Sequence, residues 1–407
     1  MRFLGILMIV GLVKLATLSA RAAEPLLPGR EIQVEINFNV ETVAICFEIA
    51  DMGNWNLSFE SYQPMKTKAR ERFGPFRDHE AVRLVDHMVK RGFWLDAMLE
   101  VALKTAPLPD ARLDRDLDES NLLRLSEDLS EARQLVLEFI EALSDFYICA
   151  DLASYFEENK EYYASVIREV RSNLPGRDFV KTMEDFYGKQ NDAYTLVPSP
   201  TIWHTMGFGP RLRGEHGFEV FNIFGPVVVT KDPEVFGFGY NHREAIEELS
   251  VHEFGHSFVN PLSETPEMRE KIAGFSYLYM PVKSRMERQG YTDWQTCATE
   301  HLVRLGEIRI AYAMGDSARA ERIREDYLQR GFIYLPYLEE GILEYEENRD
   351  VYPMFADFLP ALLGSFTHAG RPGISWMRIG RPWILIVTGV LLIVGLAIGI
   401  YKFPVRK

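Results

Sequence analysis

The sequence predicts an α+β chain, mostly α, with a helical N-terminal half and a single transmembrane helix near the C-terminus. Three observations carry this. Apolar residues recur at helical spacing over most of residues 63–187 and again from 294 onward. Residues 191–229 are instead rich in β-branched and aromatic side chains punctuated by Pro and Gly, as strands are. Residues 383–400 carry no charge at all and reach about 27 Å as a helix, enough to cross a bilayer. The remainder of the 407 residues, 47% hydrophobic and 26% charged overall, has ordinary globular composition.

In chain order, residues 1–22 read as a secretory signal. Arg2 supplies the positive end, residues 3–13 the apolar run, and Ala20-Arg21-Ala22 a small-x-small cleavage site. Residues 23–190 form an N-terminal strand plus a helical region. Ile32, Val34 and Ile36, then Val43, Ile45 and Phe47, alternate as one or two strands, or as a strand running into a helix. Helical spacing follows through Val82, Leu84, Val85 and Met88, then over 93–101, 122–146 and 152–170. The Asp- and Pro-rich stretch 105–120 is a surface loop.

From 191 to 369 the order is strands at 193–197, 201–206 and 218–229, then a helix over about 241–259 that Asn260-Pro261 should stop. An edge within 218–229 is expected to line a cleft. After a strand or irregular segment at 275–282, periodic helices are expected at 294–314, 319–329 and 334–345. A Gly/Pro/Arg linker at 370–382 leads to the transmembrane helix at 383–401, flanked by Trp383 and Tyr401, and to a tail at 402–407. Signal and span together predict a single-pass type I membrane protein with its body outside the cytoplasm. The net charge of −14 argues against nucleic acid as a partner. Cys46, Cys149 and Cys297 allow at most one disulfide and read as small hydrophobes.

The chemistry is concentrated in His252-Glu253-Phe254-Gly255-His256. On a helix the two His, four apart, share a face and can aim both imidazoles at one ion. Glu253 lies one residue round, where it can reach a water rather than the ion. Chance produces this pattern on the order of once in fifty chains of this His content. Two nitrogens, a carboxylate base and an open position are the parts of a zinc hydrolase, so Zn2+ is the expected cofactor. A third ligand is still needed. The His that a metzincin would place six residues on is Leu262 here, which excludes that class. Glu300, on the next strongly periodic helix, is the preferred third ligand over Asp293, His301 and Glu307. Strands, motif helix and an acid-bearing second helix follow one another as in zincin-type peptidases. His301, Tyr334 or Tyr337 are candidates to assist at a developing oxyanion.

The segment 241–261, with His-Glu-Phe-Gly-His-Ser-Phe-Val-Asn-Pro, and the run Glu300-His301-Leu302-Val303-Arg304 resemble a bacterial domain-of-unknown-function family of secreted, gluzincin-like zinc peptidases. The resemblance is specific over about 240–304 and looser over 199–363. It implies a zincin-like metallopeptidase body. The expectation is therefore a membrane-anchored, extracytoplasmic zinc metallopeptidase acting on a peptide or protein. His252, His256 and Glu300 would be its metal ligands, and Glu253 and His301 its catalytic residues. A zinc amide or ester hydrolase and a non-catalytic binding module are the alternatives.

Overall fold

The computed structural model describes residues 31–50, 61–176 and 178–369. β1 (Gln33–Val34) runs into α1 (Phe38–Ile49), capped by Asn37, whose side chain accepts from the Val40 amide. Nearly every residue of α1 is buried, because α2 (Pro64–Phe73), α3 (Glu80–Lys90), α4 (Leu95–Lys104) and α6 (Leu129–Cys149) pack around it. A helix apolar on all sides has no polar face to mark its period, which is why its sequence resembles alternation. Between α4 and α6 lies the short α5 (Glu119–Leu122). α7 (Leu152–Glu158), α8 (Lys160–Ser172) and α9 (Asp178–Tyr187) complete this half.

The sheet contains β1, β2 (Ala193–Pro198), β3 (Gly207–Phe208), β4 (Arg211–Arg213) and β5 (Phe218–Phe224). β1, β2 and β5 are parallel, while β3 and β4 lie antiparallel along the far side of β5. Alternation sends Val197, Leu212, Phe221 and Ile223 into the core built on α1. Tyr194, Leu196, Val220 and Phe224 face the other way, into a second core. There α10 (Pro233–Phe236) precedes the long α11 (Arg243–Ser263). α12 (Pro266–Ala273), α13 (Lys283–Glu287), α14 (Trp294–Ala313), α15 (Ser317–Arg330), α16 (Leu335–Glu347), α17 (Phe355–Leu362) and α18 (Phe366–Ala369) follow. α14 is the axis of this half, packed by α9, α11, α12, α15 and α16.

The two cores meet at Glu41 on α1, which is fully buried. Its carboxyl accepts from Tyr163 Oη on α8 (3.1 Å), from Thr201 Oγ1 (2.9 Å) and from Ser199 Oγ. Ser199 and Thr201 open the loop that leads from β2 to β3.

Several expectations need correction. The fold is predominantly helical with a small mixed sheet, and among the described residues no helix is long and apolar enough to cross a membrane. That overturns the expected plan of a zincin-like body with a membrane-spanning helix. The proposed span at 383–401, its linker, the tail and the signal at 1–22 lie outside the described residues. Residues 201–206 form a loop, not a strand. Thr205 takes a left-handed φ of 60°, and Ile202 is buried in the α1 core rather than paired. β5 ends at Phe224, before Gly225-Pro226, and is interior. With β2 on one side and β3 and β4 on the other, it offers no free edge. Residues 276–278 form a 3₁₀ turn. α11 continues through Pro261 to Ser263. In the last turn Pro261 forfeits only its own amide bond, and Glu264 N still closes onto Asn260 O at 3.0 Å.

Candidate metal centre

α11 and α14 cross with His252 and His256 on one and Glu300 on the other. The three ligating side chains bring one atom each to within 4.8 Å of one another. His252 Nε2 and His256 Nε2 are 3.3 Å apart. Glu300 Oε1 is 3.4 Å from His256 Nε2, and Glu300 Oε2 is 3.9 Å from His252 Nε2. The two imidazoles keep 15% and 16% exposure, so the site is not sealed from solvent.

The outer nitrogens decide what the inner ones are. His252 Nδ1 donates to Glu307 Oε1 (2.8 Å), and His256 Nδ1 donates to Asn260 Oδ1 (3.1 Å). Each neutral ring has one proton, so both Nε2 atoms carry lone pairs. Two imidazole nitrogens and a carboxylate oxygen then converge, an arrangement that could hold a cation. Zinc–nitrogen bonds of about 2.0–2.1 Å at tetrahedral angles place neighbouring ligands roughly 3.3–3.4 Å apart. Two of the three edges, 3.3 and 3.4 Å, match that spacing, and the third, 3.9 Å from His252 Nε2 to Glu300 Oε2, is longer.

A second trio, His79, Asp145 and Cys149, is equally compact but differs in this respect. His79 Nδ1 accepts from the Ala81 amide (3.2 Å), so the proton sits on Nε2 and points at Asp145 (3.1 Å). That ring has no lone pair to offer the group.

Behind the ligands stands a buried polar layer. Glu307 takes a further bond from Tyr327 Oη and lies 3.8 Å from Arg304. Arg304 reaches Glu300 Oε2 at 3.3 Å and donates to Tyr291 Oη at 3.0 Å, its guanidinium stacked on Tyr327 and Phe332. Burial raises the Glu300 carboxyl, but the imidazoles of His256 and His252, Arg304 and Tyr291 outweigh it and hold the group below its usual range. Glu253 is shifted the other way. Burial, then the charges of Glu300 and Glu307, push it well above the usual carboxylate range against the pull of Arg304. Burial and Arg304 also push His252 well down, with Glu300 opposing, so it stays neutral as a ligand must.

Of the expected residues, His252, Glu253, His256 and Glu300 come together, and His301 does not join them. Its Nδ1 bonds the Cys297 carbonyl at 2.7 Å, and its ring lies against Phe332 and Tyr334. Burial lowers its pKa to about 4. Tyr334 Oη is committed to the Leu278 carbonyl at 2.6 Å. Asp293 caps α14, and Glu307 orients His252 from behind instead of joining the ligand face. Sequence reasoning missed Asn260, Tyr291 and Tyr327, which carry no local signal.

It also missed Gly207 and Gly209. A Cβ on Gly207 would stand 2.7 Å from Glu253 Oε1, and one on Gly209 would stand 2.4 Å from the Glu253 carbonyl oxygen. Only glycine lets β3 lie this close over the motif helix. Met206 O accepts from Gly225 N, and Pro210 O from Phe221 N, both at 3.0 Å. In an antiparallel ladder the intervening Gly207 and Gly209 then turn their amides and carbonyls away from β5, towards the sheet's outer edge.

No curated protein and no solved structure matches the chain. A family described as a domain of unknown function, DUF4932, matches residues 32–364, which take in both cores and the whole metal centre, and the chain belongs to that family.

Proposed function

We propose that this chain is a zinc-dependent peptidase in which His252, His256 and Glu300 hold the ion and Glu253 is the general base. The observation that carries the reading is the convergence of two imidazole nitrogens and one carboxylate within 4.8 Å of one another, with both outer nitrogens already committed. A zinc ion bound there supplies a Lewis acid for the carbonyl and lowers the pKa of water towards about 7. Glu253 takes the proton of the attacking water and passes it to the departing amine. Its buried setting raises its proton affinity to suit that shuttle. Arg304 and Tyr291 hold Glu300 in place, and Glu307 with Tyr327 fixes the His252 ring.

The edge at Gly207 and Gly209, unpaired among the described residues, favours a peptide over a small ester. An extended main chain can add to it as a strand directly beside Glu253. Glu253→Gln should keep one zinc per chain, measured by metal analysis, and lower peptide hydrolysis by about 10²–10⁴-fold. Full activity in that variant would remove Glu253 from the role, and a wild-type chain that binds no zinc would end the reading.

A further inference from the structure

Gly207, Gly209 and Arg211 alternate along one edge, so their side-chain positions share the sheet face turned towards α11. Phe208 and Leu212 point to the opposite face and pack with the α1 core. The first two positions of the α11-facing row are bare, and the third carries a guanidinium. Arg211 Nη2 lies 3.5 Å from Glu264 Oε2, at the C-terminal end of the motif helix, and its side chain keeps 20% exposure. The guanidinium sits 5.2 Å from the centre of the Phe218 ring, and Lys189 Nζ sits 5.0 Å from the same centre. Two cations therefore meet one aromatic ring, with Glu264 as a loosely spaced counter-charge to Arg211. Glu100 and Asp118 also feel Arg211 but are engaged elsewhere, Glu100 by Lys104 and Asn121 and Asp118 by Ser120. Arg211 and Lys189 thus set two cations at the end of the bare edge.

We infer that Arg211, with Lys189 beside it, makes the cleft select peptides that carry an acidic side chain two or three residues from the bond that is cut. The reach follows from strand geometry. Glu253 lies beneath residues 207–209, and Arg211 is three residues along from the middle of that segment, about 10 Å at ~3.4 Å per residue. A substrate paired with the edge advances at the same rate, so its second or third residue from the scissile bond comes level with the two cations. Neighbouring charges of like sign gain most from an anion placed between them. The inference rests on the peptidase reading and narrows its substrate class.

The test is digestion of an end-blocked, mixed-sequence peptide library by the full chain loaded with zinc, with cut sites read by mass spectrometry. The expected result is enrichment of Asp and Glu two or three residues to one side of the cut. For a matched Asp/Asn peptide pair, the ratio of kcat/KM values should fall about tenfold in Arg211→Ala. In Arg211→Glu the Asp peptide should become the poorer of the pair and the library cuts should turn to Lys-bearing peptides, a reversal that a merely structural role would not produce. Lys189→Ala, which leaves the edge strand untouched, should reduce the same ratio by a smaller factor. An acidic preference that survives Arg211→Glu, or no acidic preference in the wild type, would overturn the inference. If no peptide in the library is cut, the peptidase reading falls, and binding decides Arg211 separately. Fluorescence anisotropy with the labelled Asp and Asn peptides should still show tighter binding of the acidic one by wild type than by Arg211→Glu, and equal Kd values would sink it.

Discussion

Glu41 gives the most quantitative prediction. It is fully buried, and the groups that meet its carboxyl are hydroxyls of Tyr163, Ser199 and Thr201, with no cation among the causes of its shift. Burial pushes its pKa up to about 7, against the bonds from Ser199, Thr201 and Tyr163, from 4.5 in an exposed carboxyl. The folded chain therefore holds a proton that the unfolded chain releases between those values. Stability from this group is fully present below about pH 4.5 and is lost as pH rises through 7, the reverse of an ion-paired acid. At ~1.4 kcal/mol for each pH unit, the gap between 4.5 and about 7 comes to about 3 kcal/mol. Glu41→Gln removes the titration while the three hydroxyls can rotate to serve the amide. The assay is equilibrium urea unfolding of wild type and Glu41→Gln from pH 4.5 to 8, read as the difference between the two curves so that other titrating groups cancel. Wild type should lose about 3 kcal/mol relative to the variant across this range, or roughly 5 °C in Tm from ~2 cal/mol/K of unfolding entropy per residue. Parallel curves would refute the reasoning.

Three further outcomes follow from the metal centre. Glu300→Ala or His256→Ala should abolish retention of zinc through dialysis, whereas His79→Ala should leave zinc content unchanged, since its ring has no free lone pair to give. Glu307→Ala should weaken zinc binding by about 10–100-fold, measured by competition with a chromogenic chelator, because it frees the His252 ring to turn; unchanged affinity would show that the ring is held by packing alone. Gly209→Val should lose most peptide hydrolysis while circular dichroism stays that of the native chain, because its Cβ at 2.4 Å from the Glu253 carbonyl oxygen must lift the edge strand off the motif helix. Normal turnover in that variant would dissociate the strand from the site.

The parts of the site that lie on one helix are visible in the sequence, because a fixed spacing of four residues becomes a fixed direction in space. His252, Glu253 and His256 needed nothing more. Glu300 was separable from its neighbours by the same geometry, since His301 is turned about 100° away and meets Phe332 and Tyr334 instead. Arg304, four residues on from Glu300, was legible by the same spacing as the group that steadies its second oxygen, and it lies 3.3 Å from Glu300 Oε2. The rest of the supporting layer was not visible, because Tyr291 and Tyr327 come from a loop and a second helix, and only the packing of α14 against α15 sets them beside Arg304 and Glu307. The strand expected at 201–206 was misplaced for a related reason, while those at 193–197 and 218–224 were legible. Thr201, Ile202 and Trp203 have strand-forming side chains, but they serve burial in the α1 core, and the pairing falls to the less apolar Gly207–Phe208 and Arg211–Arg213. The two glycines over Glu253 carry a signal that could have been used, a Gly-x-Gly some forty residues before the motif, whose meaning depends on what it touches.

The sheet has no solvent-facing side. Val197, Leu212, Phe221 and Ile223 project into the helices of the N-terminal half, while Leu196, Val220 and Phe224 project beneath α11, so each layer is the other's cover. The two halves are therefore not modules in the sense of pieces that could be inherited, expressed or trimmed apart. A cut that released the helices before β2 would strip one face of the very strands that position Glu253. Removal of that half would thus disassemble the candidate site instead of unveiling it.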